Sequence, residues 1–265
     1  MKISIITVCR NAENAIERTM LSVVTQSCFS ENIEYVVIDG ASTDKTVEII
    51  QQYAAKYPIK WISEPDSGIY NAMNKGIKLA AGNYLLFLNA GDCLVHYNII
   101  KSLMNLFKRD IFDIIRGNVF RVDPTTNKYE IVGSKNPDAY LFFIDGLPHQ
   151  AIFYKKNLFY KFGNYNEFYK IIADNVFNKK ILCDNKISDL YVDIVISLFF
   201  KDGISSTNIE LYKNEKQIFL SQNFTEKEQA EIKRKEQIQL RKNQKSLLRF
   251  LAKVLIKMHE FWINR

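Results

Sequence analysis

Apolar residues in the first hundred positions switch between two spacings. Strand-length runs rich in β-branched and aromatic residues occupy Lys2 to Val8, Glu34 to Asp39, Ile59 to Ile62 and Tyr84 to Leu88. Between them, apolar residues at helical spacing predict helices over Ala12 to Thr25, over Asp44 to Ala55, and after Gly68 through Ala72, Met73, Ile77, Leu79 and Ala80. A fourth helix is predicted over His96 to Phe107. This repeated winding predicts an α/β fold. The second half changes character: Ile114 to Val122 and Tyr129 to Val132 read as strands around the turn-rich Asp123-Pro124-Thr125-Thr126-Asn127, and a strand follows His149.

The C-terminal forty residues follow a third pattern. Glu226 to Lys245 is almost uniformly polar and reads as a solvated helix or spacer. From 246 to 265, Leu247, Leu248, Leu251, Val254, Leu255, Met258 and Trp262 share one helical face, while Arg249, Lys253 and Lys257 recur on another. The chain carries a net charge of +7, and nearly all of it sits here, with 11 Lys or Arg against 5 Asp or Glu in 226–265. A basic amphipathic helix fits an anionic membrane surface; packing on the domain or pairing with another subunit is the alternative. Its apolar face argues against nucleic acid as the partner. The 265 residues, 47% hydrophobic, divide into an α/β domain at 1–225, with halves 1–110 and 111–225, and a helical tail at 226–265.

Cys9, Cys28, Cys93 and Cys183 show no Cys-x-x-Cys spacing, so neither a disulfide framework nor a zinc site is expected, and a reducing cytoplasm is the simpler setting. No apolar run approaches the roughly 20 residues that span a bilayer, and no export signal is expected. The expected location is therefore cytoplasmic.

Three carboxylates fall where strands end or turns form. Asp39 closes the second strand ahead of the capping residues Ala41-Ser42-Thr43-Asp44. Asp66 sits in the Pro- and Gly-held turn Ser63-Glu64-Pro65-Asp66-Ser67-Gly68, and Asp92 ends Asn89-Ala90-Gly91-Asp92 after a buried apolar run. In open α/β sheets, ligands bind outside the carboxyl ends of the strands, and a carboxylate there can hold a hard cation against phosphate oxygens.

The ordered segments Ile3 to Asn11, Asp39 to Thr46, Asp66 to Gly76 and Leu88 to Asp92 resemble glycosyltransferase family two, densely over the first hundred residues and thinly to about Ser206. That resemblance implies a GT-A fold, a Rossmann-like mixed sheet flanked by helices. It also implies an inverting transfer of a hexosyl or N-acetylhexosaminyl group from a nucleotide-diphosphate sugar, with a leaning towards UDP. The acceptor is expected to be a saccharide or a polyprenyl-diphosphate-linked saccharide, in capsule, O-antigen or related polysaccharide synthesis, with the protein peripheral on the inner face of the cytoplasmic membrane. By the same resemblance, Thr7, Val8, Arg10 and Asn11 line the nucleotide, Asp39 contacts the base, Asp66 is a further pocket carboxylate, Asn74 is a nucleotide contact, and Asn89 contacts the ribose or the metal. The family's usual Asp-x-Asp is reduced here to Asp92 as the one anionic ligand for Mg2+ or Mn2+. Asp174, at the start of a helix, is the expected catalytic base, with a helix-capping role as the alternative. His149 is a catalytic-site candidate contacting acceptor, diphosphate or metal, or else a buried histidine with a hydrogen-bond partner. Gly203-Ile204-Ser205-Ser206 is a candidate loop over the site. The competing function is a catalytically weak sugar-nucleotide binder that docks to a membrane assembly. A dinucleotide oxidoreductase is disfavoured because no Gly-x-Gly-x-x-Gly follows the first strand.

Overall fold

A computed structural model describes residues 1–109, 111–123, 126, 128–133, 135, 147–200 and 208–238. The amphipathic segment 246–265 and the Gly203 to Ser206 loop lie outside the described residues. Among the described residues, nine strands form one mixed sheet: β1 (Ile3–Cys9), β2 (Ile33–Asp39), β3 (Ile59–Ser63), β4 (Tyr84–Phe87), β5 (Cys93–Leu94), β6 (Ile114–Asp123), β7 (Lys128–Val132), β8 (Ile152–Lys155) and β9 (Asp189–Phe200). The order is β3-β2-β1-β4-β8-β6-β9-β5, with β7 also on β6. The first four strands are parallel, and β8 runs antiparallel between β4 and β6.

Helices α1 (Ile16–Val24), α2 (Phe29–Asn32), α3 (Thr46–Ala54), α4 (Ile69–Leu79) and α5 (Ile99–Arg109) come from the first half, followed by α6 (Asn157–Phe162), α7 (Ala173–Leu182) and α8 (Ile209–Asn223). The sheet is covered on both faces because its strands send successive side chains to opposite sides. From β1, Ile6 and Val8 join α4, α6, α7 and α8 in one core, while Ile3, Ile5 and Cys9 join α1, α3 and α5 in the other. Gly76 of α4 permits the close approach on the first face, since a Cβ there would lie 2.4 Å from Ile6 Cγ2.

The predicted strands and helices of the first half are present, with α1 starting later than its apolar pattern. The backbone N–H groups of Asn11, Ala12 and Glu13 are taken by Ser42 Oγ, Thr46 Oγ1 and Asp44 Oδ2 at 2.7, 2.8 and 3.1 Å. The β1 and β2 turns are thus laced together before the helix begins. The stretch 226–238, read as solvated, is helical, and it buries Ile232 completely in the α7 and α8 core. Among the described residues, no helix is long and apolar enough to cross a membrane.

Candidate active site

Strand order reverses direction of winding between β1 and β4, so the carboxyl ends of β1, β2, β3 and β4 open onto one crevice. Register places Cys9, Asp39 and Ser63 side by side at three of these ends. Asp39 is fully buried. Its carboxylate accepts Ser42 N–H at 2.9 Å, Ser42 Oγ–H at 2.5 Å and Ser63 Oγ–H at 2.6 Å. Asp39 thereby holds the loop in which Ala41 takes a left-handed φ of 56°. Burial, then the neighbouring Asp39, pushes the Cys9 thiol far above its ordinary range, so it stays a neutral donor.

Asp66 closes over Gly40. A Cβ on Gly40 would lie 2.2 Å from Asp66 Oδ2, while Oδ1 accepts Gly68 N–H at 3.0 Å. Arg10 is exposed, with its Cδ 3.3 Å from the same Cβ position, and it makes no ion pair among the described residues. Asn11, left-handed at φ 48°, accepts Thr43 N–H at 2.8 Å. The structure thus gathers Arg10, Asn11, Asp39 and Asp66 around one rim.

Three expected nucleotide contacts have buried side chains engaged within the fold. Thr7 is fully buried, donating to Leu88 O at 2.7 Å beside the Tyr35 hydroxyl, and Val8 is a core residue. Their side chains belong to the layers of the fold, which leaves only main chain for a ligand. Asn74 is also buried. Its amide donates to Tyr165 O and Glu167 Oε1 at 3.0 and 2.8 Å, and its oxygen accepts Tyr165 N–H at 3.0 Å. It clamps α4 to the segment before α7, as any buried amide with all partners met would.

The turn Asn89 to Asp92 is braced from α1. Arg18 Nε donates to Gly91 O at 2.8 Å, and Thr19 Oγ1 accepts Gly91 N–H at 2.9 Å. Asp92 is buried and leads into β5. Asn89 Oδ1 is a buried oxygen without a hydrogen-bond partner in the structure. Oxygen donors from Asn89 and Asp92 on one turn suit a hard divalent cation whose shell is completed by diphosphate and water. Among the described residues, no group of three or more His, Cys, Asp or Glu could hold a metal.

A chain of hydrogen bonds runs from this turn to α7. Asn89 Nδ2 lies 3.3 Å from His149 Nε2, and His149 Nδ1 lies 3.0 Å from Asp174 Oδ2. Tyr70 Oη is 2.8 Å from Asp174 Oδ1 and 2.6 Å from Ile171 O. A carboxylate only accepts, so the Nδ1 proton resides on His149, and Nε2 receives the Asn89 amide. Burial, then Asp174, holds the Tyr70 hydroxyl well above its ordinary value, keeping it a donor. Asp174 sits in the first turn of α7, but the capping position is Ile172, and no side chain caps that helix. The sequence pattern placed Asp174 and His149 separately. Tyr70 was missed, although it lies in the same Ser67-Gly68-Ile69-Tyr70 turn.

Comparison with known proteins agrees with this architecture. Over 211 residues the chain is 31% identical to a PGL/p-HBAD biosynthesis glycosyltransferase of Mycobacterium bovis, covering 78% of this chain and 80% of that protein. It is 27% identical over 153 residues to the minor teichoic acid biosynthesis protein GgaB of Bacillus subtilis, 56% of this chain but 17% of that one. The fold is similar to S. aureus TarS in complex with UDP, with a TM-score of 0.62 at 22% identity, covering 76% of this chain and 60% of that one. It is also similar to the mannosyltransferase PcManGT of Pyrobaculum calidifontis in complex with GDP-Man and Mn2+, with a TM-score of 0.60 at 13% identity, covering 82% and 62%. These likenesses bear out the GT-A class. Residues 4–182 match the family described as glycosyl transferase family 2, and the chain belongs to that family of glycosyltransferases.

Proposed function

We propose that this glycosyltransferase moves a sugar, with inversion, from a UDP-activated donor to a hydroxyl of a saccharide or lipid-linked saccharide in cell-surface polysaccharide synthesis. The observation that carries the reading is the Asn89–His149–Asp174–Tyr70 chain, which joins a buried carboxylate to the turn bearing Asp92. TarS is seen with UDP and with UDP-GlcNAc, which supports the donor class. GgaB, named for teichoic acid biosynthesis, supports the acceptor class. Docking of 246–265 to an anionic membrane remains part of the proposal, on its amphipathic pattern.

Tyr70 and His149 each occupy one oxygen of Asp174, and each oxygen keeps a further lone pair for the acceptor hydroxyl. Asp174 takes that proton as the hydroxyl oxygen bonds to the anomeric carbon. The bond to the diphosphate breaks on the opposite face, its electron pair going to the leaving phosphate oxygen. Arg10, exposed on the rim, and main-chain groups of the Asp39-held loop bind the nucleotide. Asn89 and Asp92 would hold Mg2+ or Mn2+, which when bound offsets charge on the leaving diphosphate.

The test is a thermal-shift titration of UDP-, GDP-, CDP- and dTDP-sugars with and without manganese, on wild type and Asp92→Ala. Stabilisation by a UDP-sugar, dependent on manganese and lost in Asp92→Ala, is expected. Stabilisation by another nucleotide class alone would overturn the donor assignment. With the donor in hand, Asp174→Asn is expected to lower turnover by about 100-fold or more.

A further inference from the structure

Helix α8 lies beyond the matched residues 4–182, and nothing in the catalytic chemistry above uses it. One of its side chains is out of keeping with its surroundings. Glu215 is 4% exposed, in a helix that also buries Phe219 and Leu220. Its carboxylate is met by three successive backbone N–H groups, with Oε1 accepting Lys170 N–H at 2.5 Å and Oε2 accepting those of Ile171 and Ile172 at 2.9 and 3.2 Å. These residues are the turn that delivers Asp174, two positions beyond Ile172.

The same turn is gripped from the other side. Tyr70 contacts Ile171 O and Asp174, and Lys170 Nζ donates to Ser67 O at 3.1 Å, next to Asp66. The main chain ahead of α7 thus has its N–H groups fixed by α8 and a carbonyl fixed by α4. A buried anion at the start of a helix also meets the positive end of its dipole. We propose that Glu215 is a positioning residue: through the Lys170–Ile172 backbone it sets the place of Asp174 against His149, making the C-terminal helix part of the catalytic apparatus. This inference rests on the base role given to Asp174.

The Nδ1–H tautomer of His149 reports that placement without any substrate. With only three histidines in the chain, imidazole 15N spectra of uniformly labelled protein are assignable using a His149→Gln control. Wild type is expected to show a protonated Nδ1 and a bare Nε2. Glu215→Ala should lose the Nδ1–H signal of His149 in favour of the Nε2–H form, and Glu215→Gln, which keeps one accepting oxygen, should lose part of it. An unchanged His149 spectrum in folded Glu215→Ala overturns the proposal, as does a wild-type His149 already in the Nε2–H form. Should Glu215→Ala fail to fold, the isosteric Glu215→Gln decides by the same signal. Turnover of Asp174→Asn tests the base role separately, so either can fail without the other.

Discussion

Two residues decide whether the carboxylates of this site are held ready. Tyr70, buried in the core, sets its one hydroxyl proton between Asp174 Oδ1 and Ile171 O, so Tyr70→Phe removes the donor that both share without changing shape. A hydrogen bond to a charged group is worth about 1.5–3 kcal/mol in stability, and loss of a positioned partner at a base lowers turnover by roughly tenfold. A chemical-denaturation midpoint and a turnover measurement on the same preparation check both. At Gly40 the constraint is space. The Cβ of Gly40→Ala would stand 2.2 Å from Asp66 Oδ2, so Asp66 must leave its place. Nucleotide affinity is expected to fall by about tenfold, a difference of roughly 1.4 kcal/mol, measured by titration calorimetry with UDP. Affinity equal to wild type would remove Asp66 from the pocket.

At the scale of elements, the sequence made the first half legible because each strand and helix there is bounded by its own turn residues and keeps its period. It did not show what the turns do to one another. The lacing of Asn11 to Glu13 with Ser42 to Thr46 delays α1, and no local signal announces bonds between segments thirty residues apart. Asn74 is the clearest instance. Its motif pointed to a nucleotide, whereas its geometry ties α4 to Tyr165 and Glu167. Asn74→Ala should cost about 2–3 kcal/mol by leaving buried groups unpaired, with donor affinity unchanged. Glu167 gives the same clamp a pH signature. Hydrogen bonding from Asn74 foremost, joined by Asn71 and Ser67 and opposed by burial, holds its carboxyl below the ordinary value. Its folded value lies below its unfolded one, so the stabilisation is present above the ordinary glutamate range and disappears as pH falls through the folded value. The stability advantage of wild type over Glu167→Gln should therefore be full above the ordinary glutamate range and shrink as pH falls below it in thermal scans.

Over the whole molecule, the second half was less legible because its contribution is assembled from distant pieces. β9 pairs parallel to β6 across most of its length, and Arg116, almost wholly buried, forms a two-bond ion pair with Asp189 at 2.7 and 2.6 Å. Neither partner stands out in sequence, since strand pairing decides their meeting. The C-terminal helices repeat the point. Read by period alone, 226–245 is a solvated helix or spacer, yet Ile232 is fully buried in the core that also contains Val176, Phe177 and Ile181 of α7, and Lys216 of α8 pairs with Glu236. An isolated apolar residue in a charged helix carries no periodic signal, although it buries as much surface as one in a stripe. If this helix is part of the packed body, Ile232→Ala should lower stability by about 2–4 kcal/mol and Ile232→Val by about 1 kcal/mol. A solvated spacer would show neither change. Because α7 lies in the same core as Ile232 and carries Asp174, the Ala variant should also loosen the start of α7. Hydrogen exchange at Ala173 to Phe177 is therefore expected to accelerate in Ile232→Ala, while amides of α1 and α5, which pack on the opposite face of the sheet, slow or hasten only with global stability. Equal acceleration everywhere would place Ile232 in general stability alone, with no particular link to the catalytic helix.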